Sequence, residues 1–159
     1  MASQGLLVET DILVEFLTAP AGEPSLLRLL LAEIPCYTTF VQAAELYSCA
    51  GTDAEKLMVE PALFGLRVLG ASARYAARMG ALLRETGGSE TVSLREICTA
   101  AVAIEANLPI VSQKFLQNYR LMPHTSIIEA DVVRQLIRRK ALLPYVEALC
   151  ADKSHKRIS

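Results

Sequence analysis

The stretch from residue 95 to residue 113 reads REICTAAVAIEANLPIVSQ and contains two different patterns. From residue 93 to residue 107 the apolar residues recur at intervals of three and four, which is the spacing of an amphipathic α-helix. The next run, residues 109–112, is apolar but too short for a helix. Asn107 and Pro109 supply stop signals between the two patterns. The stretch therefore predicts a covering helix that leads directly into a strand.

The same alternation recurs along the rest of the chain. Short apolar runs are each followed by amphipathic sequence, and this order predicts a parallel sheet with helices on both faces. The expected strands are residues 6–8, 36–38, 67–69, 109–112 and 126–128. The expected helices are residues 24–33, 39–50, 53–64, 71–86, 93–107 and 129–140. The predicted fold class is α/β, a three-layer α/β/α sandwich with a central, mainly parallel sheet.

Length and composition indicate one globular domain. The chain has 159 residues, of which 52% are apolar and 21% charged, and a domain of this size buries roughly 70% of its unfolded surface. We expect one domain over residues 1–150 and a polar, basic tail over residues 151–159. The absence of an apolar run of about 18 residues predicts no membrane span. The N-terminal segment has no basic region before its apolar residues, which predicts a cytoplasmic protein without a signal peptide.

Charge and cysteine usage narrow the classes of function. The formal net charge is −1, so an RNA-binding surface would have to be a local basic patch. Two basic groups could contact phosphates or simply aid solubility: residues 134–140, with several arginines, and the tail. The cysteines have no zinc-ligand spacing and are expected to be buried, reduced thiols.

Acidic residues lie where a parallel sheet would gather them. Glu9 directly follows the first expected strand, and Glu45 lies about two turns into the helix after the second. Glu96 opens the helix that precedes the fourth strand, and Lys114 follows that strand. Ligands of open parallel sheets bind outside the carboxyl ends of the strands. The positions therefore predict an acidic cluster formed by Glu9, Glu45 and Glu96.

Each of these acids also has an ordinary structural explanation. Glu9 could be a solvated residue at a strand end, and Glu45 could lie on the exposed face of its helix. Ser93 and Glu96 fit a capping box, in which the hydroxyl and the carboxylate bind the backbone amides of the first helical turn. Asp11 is expected to cap a helix that begins at Ile12 rather than to bind metal.

Three motifs follow one another along the chain. The first is VETDILVEFL, residues 8–17, which resembles the opening motif of PIN-domain nucleases at the end of their first strand. That family includes VapC-type ribonuclease toxins. Residues 38–48, TTFVQAAELYS, are similar to its helix with a single glutamate, and residues 95–113 are similar to its third motif. The resemblance extends over about residues 6–119.

The resemblance implies a metal-dependent RNA phosphodiesterase. Glu9, Glu45 and Glu96 take the positions of the acids that hold Mg²⁺ or Mn²⁺, which activates water and stabilises charge on the phosphate. It also implies RNA as substrate, an antitoxin protein as a partner and a homodimer. Further positions that could support the metal or contact phosphate are Thr10, Asp11, Ser112, Lys114 and Asn118.

The sequence departs from the family pattern in ways that affect the expected chemistry. Glutamate replaces aspartate at two positions, and Mg²⁺ requires near-octahedral oxygen ligands, so weak metal binding is expected. Lys114 aligns with the family's fourth acidic position and could pair with the carboxylates or contact a phosphate; a local insertion would present Asn118 there instead. These departures favour an alternative function, a catalytically impaired PIN-like module that binds RNA or protein.

Overall fold

The computed structural model describes residues 4–20, 22–87 and 90–156, without the side chains of residues 154–156. Its centre is a parallel sheet of five strands in the order β3-β2-β1-β4-β5. Register pairs Leu7 of β1 with Tyr37 on one side and with Ile110 on the other. The strands are β1 Leu6–Val8, β2 Cys36–Thr39, β3 Arg67–Leu69, β4 Ile110–Ser112 and β5 Ile127–Glu129.

Helices connect the strands and cover the sheet. In chain order they are α1 Thr10–Thr18, α2 Leu26–Glu33, α3 Phe40–Cys49, α4 Asp53–Phe64, α5 Ala73–Thr86, α6 Leu94–Ala106, α7 Leu116–Arg120, α8 Ala130–Arg138 and α9 Leu142–Lys156. The predicted fold class is confirmed, and all five expected strands form within one residue of their predicted ends. Among the described residues, none of the helices has the length and apolar character needed to cross a membrane.

Strand β1 is buried on both faces because its side chains alternate between two cores. Leu6 and Val8 pack into a core that α1 and α2 cover, whereas Leu7 packs into a second core with residues of α6. Successive side chains of a strand point to opposite faces, so the continuous apolar run of β1 fits a strand covered on both sides. The edge at the carboxyl ends of the strands is thus the place where polar side chains can gather.

Helix ends follow local sequence signals. The capping box of Ser93 and Glu96 forms at the start of α6, as expected. Asn107 ends that helix in the left-handed region with a φ of 53°, a conformation that asparagine tolerates better than most residues. The turn brings the chain directly into β4, which agrees with the predicted junction of helix and strand.

Two predictions need correction. One is the burial of all four cysteines, because Cys49 is exposed and Cys98 is only partly buried. The other is the cap of α1, which is Glu9 and not Asp11, because the helix begins at Thr10; Asp11 lies in the first turn.

Residues 151–156 of the expected polar tail form the last part of α9, which ends at Lys156. Residues 157–159 of that tail lie outside the described residues.

Candidate functional site

The candidate site lies at the carboxyl ends of β1 and β2, where three elements meet. Glu9 immediately follows β1, Glu45 projects from α3, and Arg95 reaches in from the first turn of α6. The structure thus brings Glu9 and Glu45 together, as the sequence predicted, and adds a basic residue between them.

Glu9 is a fully buried carboxylate that is surrounded by donors. Its side chain is 0% exposed. It accepts hydrogen bonds from the Thr10 backbone amide at 2.7 Å, from Arg95 at 2.6 and 3.0 Å, and from Gln42 at 3.4 Å. The Tyr119 hydroxyl donates to the same carboxylate. Burying a charge is costly unless it is paired and hydrogen-bonded, and here the protein supplies both forms of compensation.

Arg95 joins the two glutamates through its guanidinium group. Nη2 donates to Glu9 Oε2 at 2.6 Å and to Glu45 Oε2 at 2.7 Å, and Nε donates to Glu45 Oε1. The side chain is 19% exposed, and its guanidinium carbon lies 4.4 Å from the centre of the Phe115 ring. Ion pairing with charge-assisted hydrogen bonds fixes the guanidinium orientation, and the ring contact adds a cation–π interaction.

The protonation states of the cluster follow from these contacts. Burial lowers the pKa of Arg95, but the hydrogen bonds to Glu45 and Glu9 outweigh it and raise the pKa above its ordinary value. Burial raises the pKa of Glu45, but the hydrogen bonds from Arg95 and Thr10 outweigh it and lower the pKa below its usual range. Burial and the charge of Glu9 raise the pKa of Tyr119. Arg95 and Glu45 therefore stay charged at neutral pH, while Tyr119 remains a neutral donor.

Glu96 lies near the cluster but is engaged elsewhere. Its Oε2 accepts from the Ser93 backbone amide at 3.0 Å, and its Oε1 accepts from Asn118 at 3.4 Å. The side chain is buried, and its two oxygens bind the cap of α6 and the Asn118 amide. Asn118 thus touches the third acid of the predicted set but contacts neither Glu9 nor Glu45 through any hydrogen bond of the described residues.

Asp11, Ser112 and Lys114 form a second polar group that fastens the loop after β4. Asp11 accepts from the Ser112 hydroxyl at 3.1 Å and from the backbone amides of Gln113 and Lys114 at 2.8 and 2.9 Å. Lys114 thus contributes its backbone here, and its side chain is exposed. The cation that pairs with the two carboxylates is Arg95, which corrects the pairing considered for Lys114.

The arrangement does not fit a divalent metal ion. Across residues 4–20, 22–87 and 90–156, no group of three or more His, Cys, Asp or Glu residues could hold one. Both oxygens of Glu9 already accept hydrogen bonds, and a positive guanidinium lies against both glutamates. Mg²⁺ and Mn²⁺ need several free oxygen ligands, which this cluster does not offer while Arg95 is in place.

Sequence reasoning missed three residues that complete the cluster: Arg95, Gln42 and Tyr119. Gln42 donates to Glu9 and to the Thr99 hydroxyl, at 3.4 and 2.7 Å. Two of the three residues could have been found from their positions in the sequence. Arg95 directly precedes the acid of the third motif, and Gln42 lies one helical turn before Glu45. Tyr119 gave no such signal, because α7 is a short helix without a periodic pattern.

An apolar groove lies beside the cluster, between α3, α5 and α6. Its volume is about 330 Å³, and Arg95 forms part of its wall. Phe40 and Leu94 contribute to the lining and are 44% and 62% exposed. Other lining residues are Tyr75, Met79, Cys98 and Ala101. Large exposed apolar side chains that surround a groove are typical of surfaces that bind other molecules.

Comparisons with known proteins locate the fold. No model of a known protein family matches the chain, and no curated protein sequence matches it. Several solved structures of toxin–antitoxin complexes do match. A chain of VapBC2 from Rickettsia felis, bound to a promoter DNA fragment, gives a TM-score of 0.61 at 19% identity, over 78% of this chain and 97% of that chain. Our protein therefore has a PIN-like fold.

Two further structures support the PIN-like assignment. A toxin–antitoxin complex from Klebsiella pneumoniae gives a TM-score of 0.61 at 18% identity, over 79% of this chain and 98% of that chain. VapBC-1 from nontypeable Haemophilus influenzae gives 0.62 at 12% identity, with the same coverage. The PIN-like chain retains Glu9 and Glu45 at positions where the sequence resemblance implies metal ligands, but it pairs both with Arg95.

Proposed function

We propose that this PIN-like domain acts by binding a protein partner of the antitoxin type and does not hydrolyse RNA by a metal-dependent route. The observation that argues against metal-dependent hydrolysis is the ion pairing of the Arg95 guanidinium with both Glu9 and Glu45. A divalent ion would have to displace that guanidinium before it could reach the carboxylates.

The free energies of the two competing interactions favour the arginine over a divalent ion. An imperfect oxygen site binds a divalent ion with a Kd of about 10⁻⁴ to 10⁻³ M, which corresponds to roughly 4–5.5 kcal/mol. Each hydrogen bond to a charged group contributes about 1.5–3 kcal/mol, and Arg95 donates several to the two carboxylates. Loss of two or three of these bonds offsets the free energy of metal binding, so we expect the ion pair to persist at millimolar Mn²⁺.

Support for a protein partner comes from the surface beside the cluster. Phe40 and Leu94 expose apolar side chains at the groove, and desolvated aromatic and aliphatic anchors contribute much of the binding energy in protein interfaces. One solved structure that shares the fold is a toxin–antitoxin complex, and another is a member of the VapBC family of toxin–antitoxin systems. An antitoxin-type protein is therefore the partner that we propose for this domain.

The experiment pairs an activity measurement with a binding measurement. The purified chain is incubated with single-stranded and structured RNA in Mn²⁺ and in Mg²⁺, and no metal-dependent cleavage is expected. In parallel, the chain is co-expressed with the product of the reading frame adjacent to its own, and a stable complex is expected. RNA cleavage that EDTA abolishes, or the absence of any small adjacent partner that binds, contradicts the proposal.

A matched pair of variants locates the binding surface. Leu94→Gln removes an apolar anchor of the groove, and we expect it to weaken the complex at least tenfold, which is about 1.4 kcal/mol. Leu57→Gln is the control, since Leu57 is 77% exposed on α4, away from the groove lining. Equal affinities for the two variants would exclude the groove as the binding surface.

A second candidate function is the metal-dependent endoribonuclease that the sequence resemblance implies. One observation favours it: Glu9, Glu45 and Thr10 converge at the carboxyl edge of the sheet, the usual site of chemistry in open α/β folds. It requires Arg95 to move away and Mg²⁺ or Mn²⁺ to enter. The same incubation with RNA distinguishes the two functions, because only this one predicts cleavage.

A further inference from the structure

A single nitrogen of Arg95 lies among oxygens of three different residues. Nη2 is 2.6 Å from Glu9 Oε2, 2.7 Å from Glu45 Oε2 and 3.1 Å from Thr10 Oγ1. Oxygen atoms gathered from separate elements are the surroundings that hard cations prefer. In this chain those oxygens bind a cation that belongs to the protein.

Without Arg95, the two carboxylates of the cluster would have no cation paired with them among the described residues. Within the described part of the chain, Arg95 is the basic side chain paired with Glu9 and with Glu45, and no second one is paired with either. The other side-chain donors to Glu9 are Gln42 and Tyr119, which are neutral. Two carboxylates sharing a partly buried site without a cation repel each other, so one must take up a proton or the site must acquire another cation.

Glu96 has an indirect part in this arrangement. It completes the capping box with Ser93 and thereby fixes the first turn of α6, from which Arg95 extends. A residue at the third acidic position of the family thus serves to orient the arginine. Phe115 packs against the guanidinium itself, whose carbon lies 4.4 Å from the ring centre.

We infer that Arg95 is a built-in cation that takes the place of the divalent ion implied by the resemblance, and that it keeps the site insensitive to such ions. The inference rests on the proposed function, since it explains why the carboxylates are retained without metal-dependent hydrolysis. Arg95 is a positioning residue here: it holds Glu9 and Glu45 in their places and neutralises one of their two charges. A divalent ion gains access only when the guanidinium is removed.

Thermal unfolding with and without MnCl₂ tests the inference in four proteins. In about 1 mM Mn²⁺, the wild-type Tm should rise by about 1 °C or less, whereas that of Arg95→Gln should rise by about 3–6 °C, as expected for a new site with a Kd near 0.1 mM. Arg78→Gln removes an arginine that pairs with Glu105 elsewhere and should respond like the wild type. Glu9→Gln/Arg95→Gln lacks a ligand as well as the cation and should also lose the Mn²⁺ response.

The outcomes separate this inference from the proposed function. If Arg95→Gln does not fold in metal-free buffer, refolding it with and without Mn²⁺ replaces the melting experiment, and recovery only with Mn²⁺ supports the inference. Equal responses of the wild type and Arg95→Gln, or no recovery of the variant, overturn it. If the inference fails in this way, the protein-binding part of the proposed function is unaffected. If no antitoxin-type partner is found, the role of Arg95 is unaffected.

Discussion

Tyr119 illustrates how one neutral donor can support a buried charge. Its hydroxyl donates to Glu9, and neither residue is exposed. We expect Tyr119→Phe to lower the free energy of unfolding by about 1.5–3 kcal/mol, because the variant removes a hydrogen bond to a charged group. Urea unfolding at pH 7 measures the effect. Tyr145→Phe is the control, since Tyr145 is 39% exposed, and it should change stability by no more than about 0.5 kcal/mol. Equal losses in both variants would contradict this account of Tyr119.

Glu96 allows a direct comparison between capping and metal binding. If Glu96 only caps α6 together with Ser93, Glu96→Gln should keep much of the hydrogen bond and lower the free energy of unfolding by no more than about 1 kcal/mol. The change in Tm on adding Mn²⁺ should then be as small for Glu96→Gln as it is for the wild type. Glu147→Gln, an exposed position on α9, is the control. A wild-type Mn²⁺ response that Glu96→Gln abolishes would instead assign Glu96 to a metal site.

The residues of the site differ in how far the sequence could predict them. Glu9 and Glu45 were predictable because each follows a strand by a short, fixed distance, and the sheet brings strand ends together. The position of the Arg95 guanidinium was not predictable, because it depends on the orientation of α6 and on the conformation of a long, flexible side chain. Both are set by tertiary packing. Tyr119 was missed for the same reason.

Helices α5 and α6 are joined by an ion-pair cluster in which Glu105 accepts from Arg74 and Arg78 at 2.9 and 2.7 Å. The hydrogen bond from Arg74, followed by the one from Arg78, lowers the pKa of Glu105 despite partial burial. A carboxyl whose pKa is lower in the folded state stabilises the fold above its unfolded pKa, about 4.3. That stabilisation is lost as the pH falls through the folded pKa.

The pH dependence of this cluster gives a prediction for the two helices. At pH 6, Glu105→Gln should be less stable than the wild type by about 0.5–1 kcal/mol, a modest value because both arginines are partly exposed. The difference should shrink as the pH falls from about 5 to below 4. Urea unfolding across that range measures it, with the exposed Glu60→Gln as control. A difference that stays constant over the range would exclude the ion pairs as its source.

The elements themselves were predicted more completely than the site. Each of the five strands is a short, mainly apolar or β-branched run next to a helical pattern, so local sequence is sufficient to find it. Helices α7 and α9 were not predicted. The first has only five residues, and the second contains Pro144 and a polar end, which weaken the helical pattern. Contacts made by the folded chain, such as those of Tyr119 and Val146 with the two cores, are absent from any local pattern.

For the whole molecule, the fold and the chemistry of its site have separate origins. The parallel sheet, whose central strands are buried, determines where polar side chains can meet, and the likeness to toxin–antitoxin structures reflects that architecture. What happens at the site depends on a few side chains. In this chain a guanidinium lies between the carboxylates, so a PIN-like fold is compatible with a function based on binding.

A crystal structure of the wild-type protein soaked in about 10 mM MnCl₂, with anomalous data collected for manganese, tests the role of Arg95 most directly. That concentration is at least ten times the weakest Kd expected for an imperfect oxygen site. We predict that the guanidinium remains bonded to Glu9 and Glu45 and that no anomalous peak lies within coordination distance of either carboxylate. A manganese peak bridging Glu9 and Glu45, with Arg95 displaced into solvent, would contradict the account.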